Sequence, residues 1–172
     1  FRSRFWYNIS VIRTLKNYYH LSKAILASIM YGFPSHKLII IGVTGTDGKT
    51  TTSTLLYHIL NEAGYKTLLI STIGAYMHGK YFETGLHTTT PSSFEIQKLL
   101  KLAVKNGMTH AVLEVTSHAL DQNRVWGIPF DIGAVTNVTR EHLDYHKTHS
   151  KYILAKQKLL ENSKIAIVNK DD

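Results

Sequence analysis

The sequence predicts an α/β fold, a mainly parallel sheet with helices on both faces, and three observations support this. Short apolar runs alternate with longer stretches of helical periodicity, joined by short loops, a pattern that calls for crossover helices and parallel strands. One run, Leu38 to Ile41, breaks into the glycine-rich stretch Gly42-Val43-Thr44-Gly45-Thr46-Asp47-Gly48-Lys49-Thr50 and continues into a helix-compatible segment. Three runs end in polar and ionisable residues, as expected where such a sheet offers its carboxyl edge to a ligand.

A chain of 172 residues with 44% hydrophobic and 19% charged side chains can build one domain around a real core. It has no cysteine, which excludes disulfides and thiolate metal sites. It begins at Phe1 and stops at Asp171-Asp172 just after a strand-like run, so it reads as a fragment.

The net charge of +8 is uneven. Residues 1–46 hold Arg2, Arg4, Arg13, Lys16, Lys23 and Lys37 with no acid, and the remainder carries only +2. A nucleic-acid-binding body would spread its basic residues more widely, so no nucleic-acid partner is expected.

In order along the chain, residues 1–36 form a basic amphipathic helical segment, with Phe5, Trp6, Ile9, Ile12, Leu15, Tyr19, Ile25, Leu26 and Ile29 at helical spacing. Its least polar part, Ala24 to Phe33, falls well short of the about 20 residues that span a bilayer. Packing against the protein or a missing part of it is the favoured reading of this segment, ahead of contact with a membrane surface. The body of the domain then occupies 37–172. Strands are expected at 38–43, 67–71, 110–115, 131–136 and 164–168, with helices at 49–63, 93–105, 117–124 and 149–161. Ser92 with Glu95 makes a capping box, and Gly64 and Gly107 sit at helix C-caps. Residues 73–87 read as a hairpin excursion.

The glycine-rich loop, leading into a helix start, suits a phosphate: unpaired N–H groups and the helix dipole favour an anion. Lys49 can reach outer phosphates of a nucleotide, and the Thr50 hydroxyl can hold Mg²⁺. Glu114 ends a buried strand, where a carboxylate needs a partner or a metal, and with Thr50 it could share one ion. In Asn137-Val-Thr-Arg-Glu-His-Leu-Asp-Tyr-His146, His142 is a candidate ligand for a second ion. Zinc is disfavoured. On a helical wheel of 151–160, Lys156 falls inside the apolar stripe of Tyr152, Ile153, Leu159 and Leu160, while Lys151 and Lys158 project to the opposite side. A lysine there should be partnered, deprotonated or modified.

These motifs resemble the Mur ligases, most closely the UDP-N-acetylmuramoyl-tripeptide synthetase branch. The runs GVTGTDGKTTT, TTTP (88–91), EVTSHAL (114–120) with Gln122 and Arg124, NVTREHLDYH (137–146) and YILAKQKLL (152–160) carry the resemblance over residues 38–172. It implies a P-loop NTPase-like central domain that uses ATP and Mg²⁺. In that chemistry, ATP converts a peptide carboxylate to an acyl phosphate, and an amino acid's amine displaces phosphate to give an amide. The partners implied are a UDP-N-acetylmuramoyl-peptide, an amino acid, and the missing N- and C-terminal parts of the same protein; the implied location is cytoplasmic.

By this resemblance, Gly45, Thr46, Asp47, Gly48, Lys49, Thr50, Thr51 and Asn137 bind ATP. Thr50 and Glu114 hold the first Mg²⁺, and His142 holds the second with a carbamylated Lys156. Thr88, Thr89, Ser117, Gln122 and Arg124 hold the UDP-muramoyl-peptide. Asp47 stands where the family more often has Asn, and Glu141 where it has Asp. The family's uridine-binding and amino-acid-selecting domains are not represented, so the fragment alone is expected to turn over little. The competing readings are folylpolyglutamate- or cyanophycin-type ligases, a ligase acting on a lipid-linked precursor, a regulatory P-loop NTPase and a non-catalytic binding module.

Overall fold

β1 (Ile39–Thr44) lies inside a seven-stranded sheet, and its neighbours on both sides run parallel to it. A computed structural model describes the backbone of residues 2–84 and 89–171 and the side chains of 14–84 and 89–171. The other elements are α1 (Arg2–Tyr31), a 3-10 turn at Pro34–Lys37, α2 (Lys49–Glu62), β2 (Thr67–Ser71), β3 (Gly74–Met77), β4 (Lys80–Phe82), α3 (Ser93–Lys105), β5 (His110–Glu114), α4 (Ser117–Asp121), β6 (Phe130–Val135), α5 (Leu143–His146), α6 (His149–Glu161) and β7 (Ser163–Val168). The strand order is β4-β3-β2-β5-β1-β6-β7. Strands β2, β5, β1, β6 and β7 pair in parallel, and β3 and β4 add an antiparallel hairpin at one edge. This is the predicted mainly parallel sheet, and the hairpin is the expected excursion after β2.

Alternation along the strands divides the core between the two faces, because successive strand residues point to opposite sides. Ile40, Leu68, Ile70, Ala111 and Leu113 join Ile96, Leu99, Leu100, Leu120 and Leu159 beneath α3, α4 and α6. Ile41, Val43, Leu69 and Val112 join Tyr57, Leu56 and Leu60 beneath α2. The run Ile40 to Val43 is apolar throughout because both faces are covered where α2 reaches. Towards β7 that second face is open, and Ile165 and Ile167 are more than half exposed.

Local signals set the helix ends. Ser92 Oγ accepts from the Glu95 N–H at 3.3 Å, Thr116 Oγ1 from Ala119 N–H at 3.2 Å, and Thr148 Oγ1 from Lys151 N–H at 3.3 Å. The helix expected over 117–124 stops at Asp121, because Asn123 takes a left-handed conformation (φ 54°) and Arg124 N–H turns back to the Ala119 carbonyl. The basic segment at the start forms one long helix. Its second half packs on the body through the fully buried Ala24, Ala27 and Ser28, and Gln97 Nε2 donates to Ser28 Oγ at 3.1 Å.

Gly42 sits where β1 passes closest to α6. A Cβ there would stand 2.7 Å from Leu159 Cδ1 and 2.8 Å from the Phe130 ring, both within the buried core. Gly42→Ala should therefore destabilise the protein by about 1–3 kcal/mol through overpacking. Urea unfolding would measure it, and an unchanged midpoint would show that the two side chains yield freely.

Candidate active site

The loop between β1 and α2 is held in shape by the end of β6. Asn137 Oδ1 accepts from the N–H groups of Thr46 (3.1 Å) and Asp47 (2.9 Å), and Asn137 Nδ2 donates to the Asp47 carbonyl at 3.2 Å. Thr136 Oγ1 donates to that carbonyl at 2.7 Å. Gly45 has to be glycine at this crossing, since a Cβ there would collide with the Thr136 hydroxyl. Gly48 caps α2 without a side-chain acceptor, so the first N–H groups of a 14-residue helix keep their positive end towards the loop. Lys49 Nζ donates to the carbonyls of Thr46 (2.6 Å) and Gly45 (3.1 Å), which places the ammonium over the loop. Together these groups can receive a phosphate. Thr51 lies on the first turn of α2, exposed.

The parallel register sets Glu114 of β5 beside Val43 of β1. Glu114 is 1% exposed, yet among the described residues no Lys, Arg or His pairs with it. Its oxygens accept instead from Thr50 Oγ1 (3.0 and 3.1 Å), Thr72 N–H (2.9 Å) and Thr72 Oγ1 (3.1 Å). The structure thus joins Thr50 with Glu114, as the sequence implied, and adds Thr72, which the sequence reading missed. Thr72 follows the end of β2, and asking what stands after that strand, as was done for three others, would have found it. The side-chain groups gathered there, the Glu114 carboxylate and the hydroxyls of Thr50 and Thr72, are all oxygen, which suits Mg²⁺.

On the other side of the loop, Tyr152 is the hub. Its hydroxyl lies 3.0 Å from Thr46 Oγ1, and burial pushes its pKa up, so it stays protonated. Lys156 Nζ sits 4.5 Å from the centre of the Tyr152 ring, and the His142 ring lies 6.3 Å from it. His142 and Lys156 therefore border one aromatic ring. Neither forms a hydrogen bond or ion pair with Glu114 or Thr50, and among the described residues no three His, Asp or Glu side chains gather as a metal group. His142 is exposed, in a left-handed conformation, 3.5 Å from Glu141 Oε2.

Lys156 is 2% exposed, and burial, reinforced by repulsion from Lys49, lowers its pKa to about 7. The buried stripe of α6 is Tyr152, Ala155, Lys156 and Leu159, whereas Ile153, expected inside, is exposed. The shift of face follows the docking of Tyr152 under the loop. Lys151 is exposed and Lys158 half-buried.

A second cluster stands next to it. His118 stacks on Tyr145 at 4.1 Å, and its pKa is lowered by burial and by His142 and Arg124. Ser117, 3% exposed, lies 3.0 Å from the fully buried His146 through its hydroxyl and Nε2. Arg124 donates through Nε to Gln122 Oε1 (2.8 Å) and through an NH group to the Thr90 carbonyl (3.1 Å), and Gln122 Nε2 reaches Tyr145 OH at 3.2 Å. Burial lowers the Arg124 pKa, and among the described residues no carboxylate forms an ion pair with it. Thr89 is half-buried beside this group in sequence, and Thr88 lies outside the described residues.

Lys156 makes a test of the electrostatics possible. An unfolded lysine titrates near 10.4, so as pH falls from there towards 7 the unfolded chain takes up a proton that the folded one does not. Stability therefore drops over that window and is regained as pH rises. Lys156→Met, measured by urea unfolding in chelator, should be more stable at pH 7 by several kcal/mol, bounded at about 5. The gain should shrink towards pH 10. An equal difference at both pH values would mean that the ammonium is not desolvated.

The comparisons with known proteins agree with this fold. The profile described as the Mur ligase middle domain matches residues 43–172. The UDP-N-acetylmuramoyl-L-alanyl-D-glutamate–2,6-diaminopimelate ligase of Clostridium perfringens is 47% identical over 149 residues, 87% of this chain and 30% of that protein. The Bacillus cereus protein of the same name is 44% identical over 160 residues, 88% of this chain and 32% of the other. A solved structure of such a ligase superposes with a TM-score of 0.70 at 34% identity, over 78% of this chain and 27% of that one. FolC of E. coli, solved with DHPP and ADP, gives a TM-score of 0.66 at 21% identity over 81% of this chain and 39% of that one, a likeness of fold alone. The chain spans about 30% of the length of the curated relatives it matches. With its glycine-rich loop, its sheet and most of its length fitting the middle-domain profile, the chain belongs to the Mur ligase family.

Proposed function

We propose that this chain is the nucleotide-handling part of a ligase that joins an amino acid to the carboxylate of a UDP-N-acetylmuramoyl-dipeptide in peptidoglycan precursor synthesis, converting ATP to ADP and phosphate. The observation that carries this reading is the meeting, at one sheet edge, of the Gly45–Thr50 loop with a buried Glu114 bonded to Thr50. The loop N–H groups and Lys49 bind and orient the phosphates of ATP, with Asn137 keeping the loop in shape. Thr50 and Glu114 would hold Mg²⁺, with His142 and Lys156 the residues for a second ion. When bound, these ions supply charge neutralisation at phosphate oxygens.

The resemblance assigns Lys156 as a carbamate, and its surroundings support that. A pKa of about 7 leaves a neutral amine fraction at physiological pH. The amine lone pair forms an N–C bond to CO₂ and a proton leaves the nitrogen, which turns a cation into an oxygen donor. Ser117, Gln122, Arg124, Thr88 and Thr89 form the substrate side of this reading. Arg124, half-buried and donating to neutral partners, supports an anionic substrate. The relatives are named for diaminopimelate, so it is the amino acid to test first.

In the intact protein, Lys49→Ala should remove amide synthesis and ATP-dependent phosphate release, a loss of several kcal/mol of transition-state stabilisation. Glu114→Ala and His142→Ala should each raise the Mg²⁺ concentration needed. Phosphate release that needs no amine acceptor would favour a regulatory NTPase instead.

Two lysines of one helix separate function from packing. Lys156→Ala should abolish amide formation while Lys158→Ala leaves it nearly unchanged, and a short-chain carboxylate should restore part of the activity to Lys156→Ala. Full activity in Lys156→Ala would overturn its assignment.

A further inference from the structure

α1 has two faces, and the body uses only one. Ala24, Ala27 and Ser28 are fully buried against α3 and the turn at Trp126, whose carbonyl accepts from Ser28 Oγ at 3.4 Å. On the opposite side Leu15, Tyr18, Tyr19, Leu26, Ile29 and Met30 are each more than half exposed. At about 100° per residue these six fall within about 60° of one line along the helix. Among the described residues Ser22 is the sole polar side chain in that stripe, and its hydroxyl is returned to the Tyr19 carbonyl at 2.9 Å.

Lys16 and Lys23 border the stripe on one side, and Lys23 Nζ lies 5.2 Å from the Tyr19 ring. Arg2, Arg4 and Arg13 lie on the same helix, and residues 1–46 contain no acid. No helix among the described residues is long and apolar enough to cross a membrane.

We propose that the outer face of α1 docks on an anionic membrane surface, lying in the plane of the interface with its aromatic and aliphatic stripe down and Lys16 and Lys23 on the headgroups. Charge complementarity selects this occupant. A helix that is basic, free of acid and apolar on its outward face matches a negatively charged, partly apolar surface. The inner face, made of small residues fitted to α3, keeps the helix attached to the body while the outer one is engaged. This inference does not depend on the reaction proposed above.

The test is flotation of the intact protein with vesicles of phosphatidylcholine alone and of phosphatidylcholine mixed with phosphatidylglycerol. The protein should float with the anionic vesicles, stay behind with neutral ones, and be released by high salt. Lys16→Gln and Lys23→Gln should each weaken binding by about fivefold. The double change Leu26→Gln/Ile29→Gln should weaken it at least as far, with ATP turnover in solution unchanged and the melting temperature preserved, since both side chains are exposed. Failure of the unaltered protein to float with anionic vesicles would overturn the proposal. So would a sedimentation mass of two copies that Leu26→Gln/Ile29→Gln reduces to one, or protection of α1 from protease in vesicle-free protein, which would assign the face to a second copy or to another part of the polypeptide.

Discussion

The parallel pairing of β1 with β5 on one side and β6 on the other is the constraint on which the rest depends. Parallel strands place equivalent ends at one edge, so three loops separated by many residues in sequence converge without any loop having to be long. The register then sets the chemistry. Val43 beside Glu114 brings the carboxylate to the first turn of α2, and Thr44 beside Val135 brings Thr136 and Asn137 against the glycine-rich loop. A shift of one residue in either pairing would turn Glu114 out of the site or leave the amides of Thr46 and Asp47 without the Asn137 side chain.

Two buried ionisable groups show how such an edge is tensioned. The Glu114 carboxyl is compensated by hydrogen bonds from neutral groups, Thr50 and Thr72. Lys156 has no such compensation: it rests on an aromatic ring and is driven towards its neutral form. A carboxyl buried without a cation and an amine pushed towards its neutral form, on either side of one phosphate-type loop, are arrangements that lower stability and are retained where chemistry needs them. Tyr152 ties them together. Its hydroxyl meets Thr46 in the loop while its ring carries Lys156 and faces His142.

α1 stands outside this economy of charges. Its small inner residues let it approach α3 closely, while Leu15, Tyr18, Tyr19, Leu26, Ile29 and Met30 are turned away from the body. A helix that spends its alanines on the core and its tyrosines and leucines on the outside is built for two contacts, of which the body supplies one.

Most of the fold and the heart of the site were legible from residue order alone. Strand–helix alternation, the glycine-rich loop, the Ser92 cap and the spacing around Lys156 are local patterns, and local patterns follow from backbone geometry and side-chain periodicity. The helices at 93–105 and 149–161 were read to the residue for that reason. Tertiary structure alone decided which strands became neighbours, and with that the partnership of Glu114 with Thr72, the clamp of Asn137 on the loop, and the contact of Tyr152 with Thr46. It also turned Ile153 out to solvent, because the docking of Tyr152 under the loop, rather than the wheel's most apolar arc, set the rotation of α6. Hydrogen bonds between residues 42, 91 or 106 positions apart leave no periodic trace in a sequence. They exist only once the sheet order is chosen, and that choice rests on the packing of the whole core.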